Sequence, residues 1–274
     1  MTETLSLRAK IEQSPMGAYQ WMIVVMAAIM NLLDGFDVLA LAFTATAIRG
    51  EFGLTGIELG YLLSAGLFGM TAGSLFLAPL ADKIGRRPLL LMAVSLSAIG
   101  MLGSAFISQY QWLGFWRVIT GLGVGGILVG TNVITSEYSS RKWRSFAISV
   151  YAAGFGIGAV LGGMFAVMLQ GEYGWRSVFL AGAILTGLLL VVLFIWLPES
   201  IDFLTSKQPK NAEVRLNLIA KRIGLAGDWK LPEKMEKVKT KLPISQLFSE
   251  KYLHSTLLIW TAFFAIMFSF YFIS

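Results

Sequence analysis

Six apolar runs, each about as long as a lipid bilayer is thick, leave this chain few folds to choose from. They cover residues 19–48, 59–81, 89–107, 113–135, 146–169 and 178–197, with short polar segments between them. A helix crosses about 30 Å of hydrocarbon with roughly 20 apolar residues, so each run reads as a membrane-spanning helix. Short connections make successive helices antiparallel. A seventh run, 255–274, ends without the polar flank that normally anchors a last helix, and reads as a truncation. Before the first run lies a polar arm, residues 1–18, expected to carry a short surface helix. Between the sixth and seventh lies a charged segment, residues 198–252, in which Asn211 and Gly224 read as the two caps of one amphipathic helix. The expected architecture is an all-α membrane protein: a six-helix bundle over 19–197, a linker over 198–252 and the start of a further bundle over 253–274.

The polar residues say which way the bundle faces and what chemistry is out of reach. With the N-terminus inside, nineteen of the 22 Lys and Arg fall on the inner side, Arg49 and Arg176 on the outer, and Arg117 within the fourth run. That asymmetry predicts a cytoplasmic N-terminus. It also accounts for the net charge of +6 without nucleic acid as a partner. The first sixteen residues carry Arg8, Lys10 and Glu12 and no apolar core, so the first run reads as a retained span and not a secretory signal. There is no cysteine and a single histidine, His254, which leaves no metal cluster, thiol nucleophile or Ser-His-Asp triad. An enzyme is therefore not expected, nor any bound cofactor or metal. Trp21, Trp112, Trp116 and His254 read as interfacial or packing residues.

Within the first run stands Asn31-Leu32-Leu33-Asp34-Gly35-Phe36-Asp37, two carboxylates at lipid depth. A charge at mid-membrane costs roughly 2.5–3.5 kcal/mol on insertion scales, so such acids face a polar cavity, an ion path or a buried partner. Asp34 and Asp37 are three residues apart and share one helix face. Arg117 lies at comparable depth in the fourth run, where a charge pair or a shared proton network with the two acids is expected. The competing readings are a helix break capped by the acids at Gly35, and an Arg117 that snorkels outward.

Several motifs resemble those of one family. Asp82, Gly85, Arg86 and Arg87, within Ala78-Pro79-Leu80-Ala81-Asp82-Lys83-Ile84-Gly85-Arg86-Arg87-Pro88, resemble the loop signature of the major facilitator superfamily, with Ala78 in place of the usual opening glycine. Glu137 with Arg144, and Pro198-Glu199-Ser200, fit further signatures. The run from Arg117 through Gly121 to Gly125 resembles the fourth-helix motif associated with proton coupling. Gly154, Gly158 and Gly162, four apart, also read plainly as a helix-packing face; Ala159, where antiporters carry proline, leans towards symport or uniport. Asp34-Gly35-Phe36-Asp37 resembles the signature of the aromatic acid:proton symporters, and the likeness covers most of residues 19–224.

This resemblance implies the N-terminal half of a twelve-helix transporter in a bacterial inner membrane. It implies Asp34, Asp37 and Arg117 as coupling residues, the proton as coupling ion, and Asp82, Arg86, Arg87, Glu137, Arg144 and Glu199 as one cytoplasmic gate. The implied partners are a small aromatic acid, the lipid bilayer and a missing second six-helix half. Two alternatives stay open: a symporter of a sugar, dicarboxylate or osmolyte on the same fold, and a non-transporting fragment that needs a partner half.

Overall fold

The computed structural model describes residues 6–225, 227–231 and 248–273. They form ten helices: α1 (Leu7–Gln13), α2 (Ala18–Phe52), α3 (Gly56–Ile84), α4 (Arg86–Ala105), α5 (Tyr110–Tyr138), α6 (Arg144–Tyr173), α7 (Trp175–Trp196), α8 (Ile201–Lys207), α9 (Ala212–Ile223) and α10 (Glu250–Ile273). Among the described residues, six helices, α2 to α7, are long and apolar enough to cross a membrane. α10 forms a separate unit from α1–α9 and carries an apolar stretch, Tyr252–Ile266.

The helices run past the apolar boundaries read from sequence, because backbone hydrogen bonding continues until a residue stops it. Arg49-Gly50-Glu51 does not break α2; the helix continues to Gly53, which ends it in a left-handed conformation at φ +64°. At 35 residues α2 is about 50 Å long, more than the hydrocarbon layer requires. The stretch around Asp82, expected as a loop, is helical on both sides of Gly85. This one residue, at φ +106°, separates α3 from α4, and a Cβ there would overlap the Glu199 carboxylate. Thr55 starts α3 with a capping box, its hydroxyl accepting from the Glu58 N–H while Glu58 accepts from the Thr55 N–H at 2.8 Å.

Glycines set which helices touch. α3 and α5 interlock reciprocally: a Cβ at Gly69 or Gly73 would strike the backbone of Val118 or Leu122, and one at Gly121 or Gly125 would strike the backbone at Gly66 or Met70. α2 and α6 pack in the same way, with Gly154 against Ala28, Gly158 against Leu32, and Gly35 against the Phe155 backbone. Close backbone approach of this kind substitutes for the hydrophobic driving force that lipid removes. α4 lies on α5 and α7.

The buried apolar residues form two clusters. One gathers Ile23, Met30, Leu33 and Tyr138 with Ile11 of α1, Ile201 and Leu204 of α8, and Leu216 and Ile219 of α9. The other gathers Phe36, Leu41, Met101, Leu113, Trp175 and Phe179. Leu33 belongs to the first and Phe36 to the second, so Asp34 and Asp37 sit at the seam. The end of the bundle away from α1 is tied by Arg176, which bonds both oxygens of Glu51 at 2.7 and 2.9 Å and stacks on Trp175.

α8 is absent from the sequence reading. Ser200, whose hydroxyl accepts from the Phe203 N–H at 3.0 Å, and Asp202 in the first turn are the start signals that mark it. α9 matches the amphipathic stretch, with Gly224 as a left-handed C-cap. Asn211, at φ +63°, makes no side-chain capping bond.

Candidate functional site

Two groups of polar side chains are buried in this bundle. The first lies at the end occupied by α1 and α8. Glu199 Oε1 accepts from the backbone N–H groups of Arg86 (2.8 Å), Arg87 (3.0 Å) and Ser200 (2.9 Å), so a carboxylate sits on the N-terminus of α4, where the helix dipole favours it. Glu137, also buried, accepts from the Ser200 hydroxyl and the Ile201 N–H, both at 2.8 Å, and serves α8 in the same way. Arg86 pairs with Asp82 at 2.7 Å on the open side, where the Asp82 side chain is 64% exposed. Arg87 donates to the Phe194 carbonyl at 2.6 Å and lies over the Phe194 ring, joining α4 to the end of α7. Asp82, Arg86, Glu137, Ser200, Asp202 and Lys207 all line one polar cavity of about 330 Å³.

Arg144 departs from the expected network. It donates to Glu12 of α1 at 2.6 Å and makes no bond to the Asp82 stretch. That hydrogen bond holds the Glu12 carboxyl below its usual range, against the opposing effect of burial. Arg8 pairs with Asp202, and the Arg141 N–H donates to the Glu12 carbonyl at 2.9 Å, so α1 straps α8 to the start of α6. Sequence reasoning missed Arg8, Glu12 and Asp202 because the elements that carry them are far apart in the chain. The available signal was the amphipathic Leu7–Gln13 segment, whose Leu7 and Ile11 are buried.

Replacing Glu199 by alanine strips three main-chain donors of their acceptor. A hydrogen bond to a charged group contributes about 1.5–3 kcal/mol, and bonds sharing one oxygen do not add. The expected result is a loss of about 2–3 kcal/mol, read by amide hydrogen exchange as faster exchange at Arg86, Arg87 and Ser200 with the middle of α5 unchanged.

The second group lies inside the bundle. Asp34 and Asp37 are each 2% exposed and Arg117 is 3% exposed. The six helices bury them unaided. They do not line an open face, and neither a capped helix break nor a snorkelling Arg117 describes them, since α2 is continuous through Gly35. Ser97 of α4 donates to Asp37 Oδ2, while Asp37 Oδ1 and Asp34 Oδ2 are buried without a hydrogen-bond partner. Arg117 reaches the main-chain carbonyl of Asp37 at 3.4 Å and not its carboxylate; no ion pair joins them. Its guanidinium is held by Ser104 (3.1 Å), Thr120 (3.0 Å) and the Met101 sulfur (3.0 Å), and lies 4.8 Å from the centre of the Phe179 ring. Asn31, one turn before Asp34, donates to the Tyr151 carbonyl at 2.8 Å and ties α2 to α6. The matching depths left a charge pair or a shared proton network open; no ion pair forms, and the buried polar layer has Ser97 bonded to Asp37 while Ser104 and Thr120 bond Arg117. Ser97, Ser104 and Thr120 carry no mark in one dimension, because small hydroxyl residues are ordinary in such helices.

Chemically, such a layer can hold and release a proton. A neutral carboxylic acid is tolerated in a dry interior far better than an ion, and Asp34 has a second acid one helix turn away. Among the described residues no cluster of His, Cys, Asp and Glu is arranged to hold a metal.

Comparison with known proteins places these features in context. The family model of the Major Facilitator Superfamily matches residues 27–274. The chain is 34% identical to the gallate transporter of Pseudomonas putida, over 93% of this chain and 57% of the relative. It is 33% identical to the 4-hydroxybenzoate transporter PcaK of the same organism, over 96% of this chain and 59% of the relative. It therefore spans less than two thirds of the length of these relatives. Among solved structures, the partially occluded inward open conformation of the xylose transporter XylE from E. coli superposes with a TM-score of 0.67 at 22% identity, over 76% of this chain and 56% of that one.

Proposed function

Since the chain belongs to the major facilitator superfamily, as a multi-pass membrane protein, we propose that it is the N-terminal half of a proton-coupled symporter of aromatic carboxylates. The relatives named above support the substrate class: one carries gallate and the other 4-hydroxybenzoate by name, and both align along more than nine tenths of this chain. The observation that carries proton coupling is the buried acid pair on α2, with one oxygen of each acid unpartnered inside a membrane-depth helix. The Lys and Arg asymmetry supports a reading in which α1, α8 and α9 face the cytoplasm.

In this reading a proton from outside neutralises the acid layer, and the aromatic carboxylate binds between this bundle and a second one. Neutralisation changes how α2 is held. Because α2 touches α6 backbone to backbone at Gly35, Gly154 and Gly158, its movement is passed directly to α6. Release inside requires the Asp82–Arg86 pair to part, which an exposed pair worth about 0–1 kcal/mol permits. Glu199 and Glu137, which cap helices within the bundle, stay closed and keep the cytoplasmic end of this half rigid. A second six-helix bundle facing this one is needed for alternating access, and the relatives have two fifths of their length beyond what this chain matches.

Uptake of radiolabelled 4-hydroxybenzoate into cells expressing the gene tests the proposal. Accumulation should follow an imposed inward proton gradient, collapse with a protonophore, and be competed by benzoate-type acids. Competition by xylose or an aliphatic dicarboxylate, with none by aromatic acids, would instead identify a carrier of another solute on this fold.

A further inference from the structure

The geometry points to Ser97 as a positioning residue: its hydroxyl holds the Asp37 carboxylate against α4 beside Arg117, and this makes Asp34 the acid that takes the proton first. The inference rests on the acid pair being the proton site, as proposed above.

The two acids lie on one helix, one turn apart, equally buried, yet their surroundings differ. Asp37 has a hydroxyl donor on Oδ2 and the Arg117 guanidinium nearby, with Arg117 bound to the carbonyl of the same residue. Asp34 has no donor for its buried Oδ2, and the titratable groups facing it are Asp37 on its own helix and Tyr151 of α6. From α4, Asp37 meets Ser97, with Met101 and Ser104 engaged by Arg117; from α7 it faces Gly182, which carries no charge, while the Phe179 ring lies against Arg117. A buried ionised carboxylate is sustained only where donors and opposite charge supply what water would. Asp37 has both. Asp34 has neither.

Ser97 is placed for this task by the packing of its own helix. It is 1% exposed, and α4 approaches α5 so closely there that a Cβ at Gly123 would stand 2.7 Å from the Ser97 nitrogen. Gly182 does the same from α7, where a Cβ would overlap Met101 and stand 3.6 Å from Asp37 Oδ1. Two glycines thus fix the distance between the serine and the acid, and the hydroxyl does the rest.

Infrared titration of the carboxyl C=O band in the purified protein, reconstituted in liposomes, tests this without requiring transport. At neutral pH the wild type should show a protonated-carboxyl band that Asp34→Asn removes and Asp37→Asn leaves. In Ser97→Ala the Asp37 carboxylate has lost its hydroxyl donor, and a second such band, removed by Asp37→Asn, should appear at a pH where the wild type shows none. Ser97→Thr, which keeps the hydroxyl, should titrate like the wild type, and Ser97→Cys, a weaker donor of nearly the same size, should fall between. The proposal is overturned if the wild-type band belongs to Asp37, if Ser97→Ala leaves the Asp37 titration in place, or if Ser97→Thr moves it as far as Ser97→Ala does. Failure of aromatic-acid uptake would sink the transport reading and leave the infrared result standing.

Discussion

Asp37→Asn should abolish uphill accumulation of substrate while leaving the protein folded and able to exchange substrate at equilibrium. Asparagine matches aspartate in shape, and its amide oxygen can still accept the Ser97 hydroxyl. What it lacks is a second protonation state. A carrier that moves a proton with its substrate needs a group that is charged in one half of the cycle and neutral in the other; Asp34, which takes its proton first and holds it, is not that group, so without Asp37 the gradient does no work on the solute. The substitution also removes the negative charge nearest Arg117, which is 3% exposed. Leaving a buried cation uncompensated costs about 3–5 kcal/mol where the partner was in direct contact. Here the guanidinium keeps Ser104, Thr120 and the Asp37 carbonyl, so the loss should be nearer 1–2 kcal/mol on the scale of one missing interaction. The measurements are accumulation ratio under a proton gradient, counterflow without one, and thermal stability in detergent. Sustained accumulation by Asp37→Asn would remove this residue from the coupling machinery. Loss of counterflow together with accumulation would mean that the side chain matters for structure and not for the proton.

Gly158→Val should destabilise the bundle more than any other single change at the α2–α6 contact. A Cβ at Gly158 would lie inside the Leu32 main chain, overlapping its carbonyl, and main chain cannot turn aside as a side chain can. Overpacking in a close-packed interior typically costs 1–3 kcal/mol, and a β-branched residue against backbone belongs at or beyond the top of that range. For a domain of this size about 3 kcal/mol corresponds to a fall in Tm of roughly 6–12 °C. Because α2 carries Asp34 and Asp37, the acids should shift with it, so uptake should fail even at temperatures where the variant stays folded. Gly156 on the same helix provides the control: nothing lies within 4 Å of a Cβ there, and Gly156→Ala should leave both Tm and uptake unchanged. Equal effects at the two positions would show that helix α6 merely dislikes larger residues and that its approach to α2 is not what matters.

Much of the candidate site could be read from the chain, and the part that could not shares one physical cause. Asp34, Asp37 and Arg117 are conspicuous wherever they occur, because an ionisable residue in a 20-residue apolar run has to be explained. Gly154 and Gly158 were legible by their spacing. Their partners were not: Asn31 and Tyr151, which meet in the same contact, stand 120 residues apart. Arg144 shows the limit most plainly. Its spacing from Glu137 suggested one network with Asp82, whereas it bonds to Glu12, because α1 folds back across the start of α6 and offers a carboxylate first. Glu199 was expected among gate charges and instead caps α4, because Gly85 leaves room for its carboxylate against the first N–H groups of that helix.

The amino-acid sequence alone determined that six runs are long and apolar enough to cross a membrane and that two acids lie within the first of them. Each follows from a one-dimensional criterion: the length of apolar chain that spans hydrocarbon, or the presence of a charge within it. Only the tertiary structure decided that those acids turn into the bundle, that a serine on α4 holds one of them, and that Arg117 is held by hydroxyls and not by a carboxylate. The rotation of a helix about its own axis is set by what it touches, and here backbone meets backbone at glycines whose partners lie on other helices.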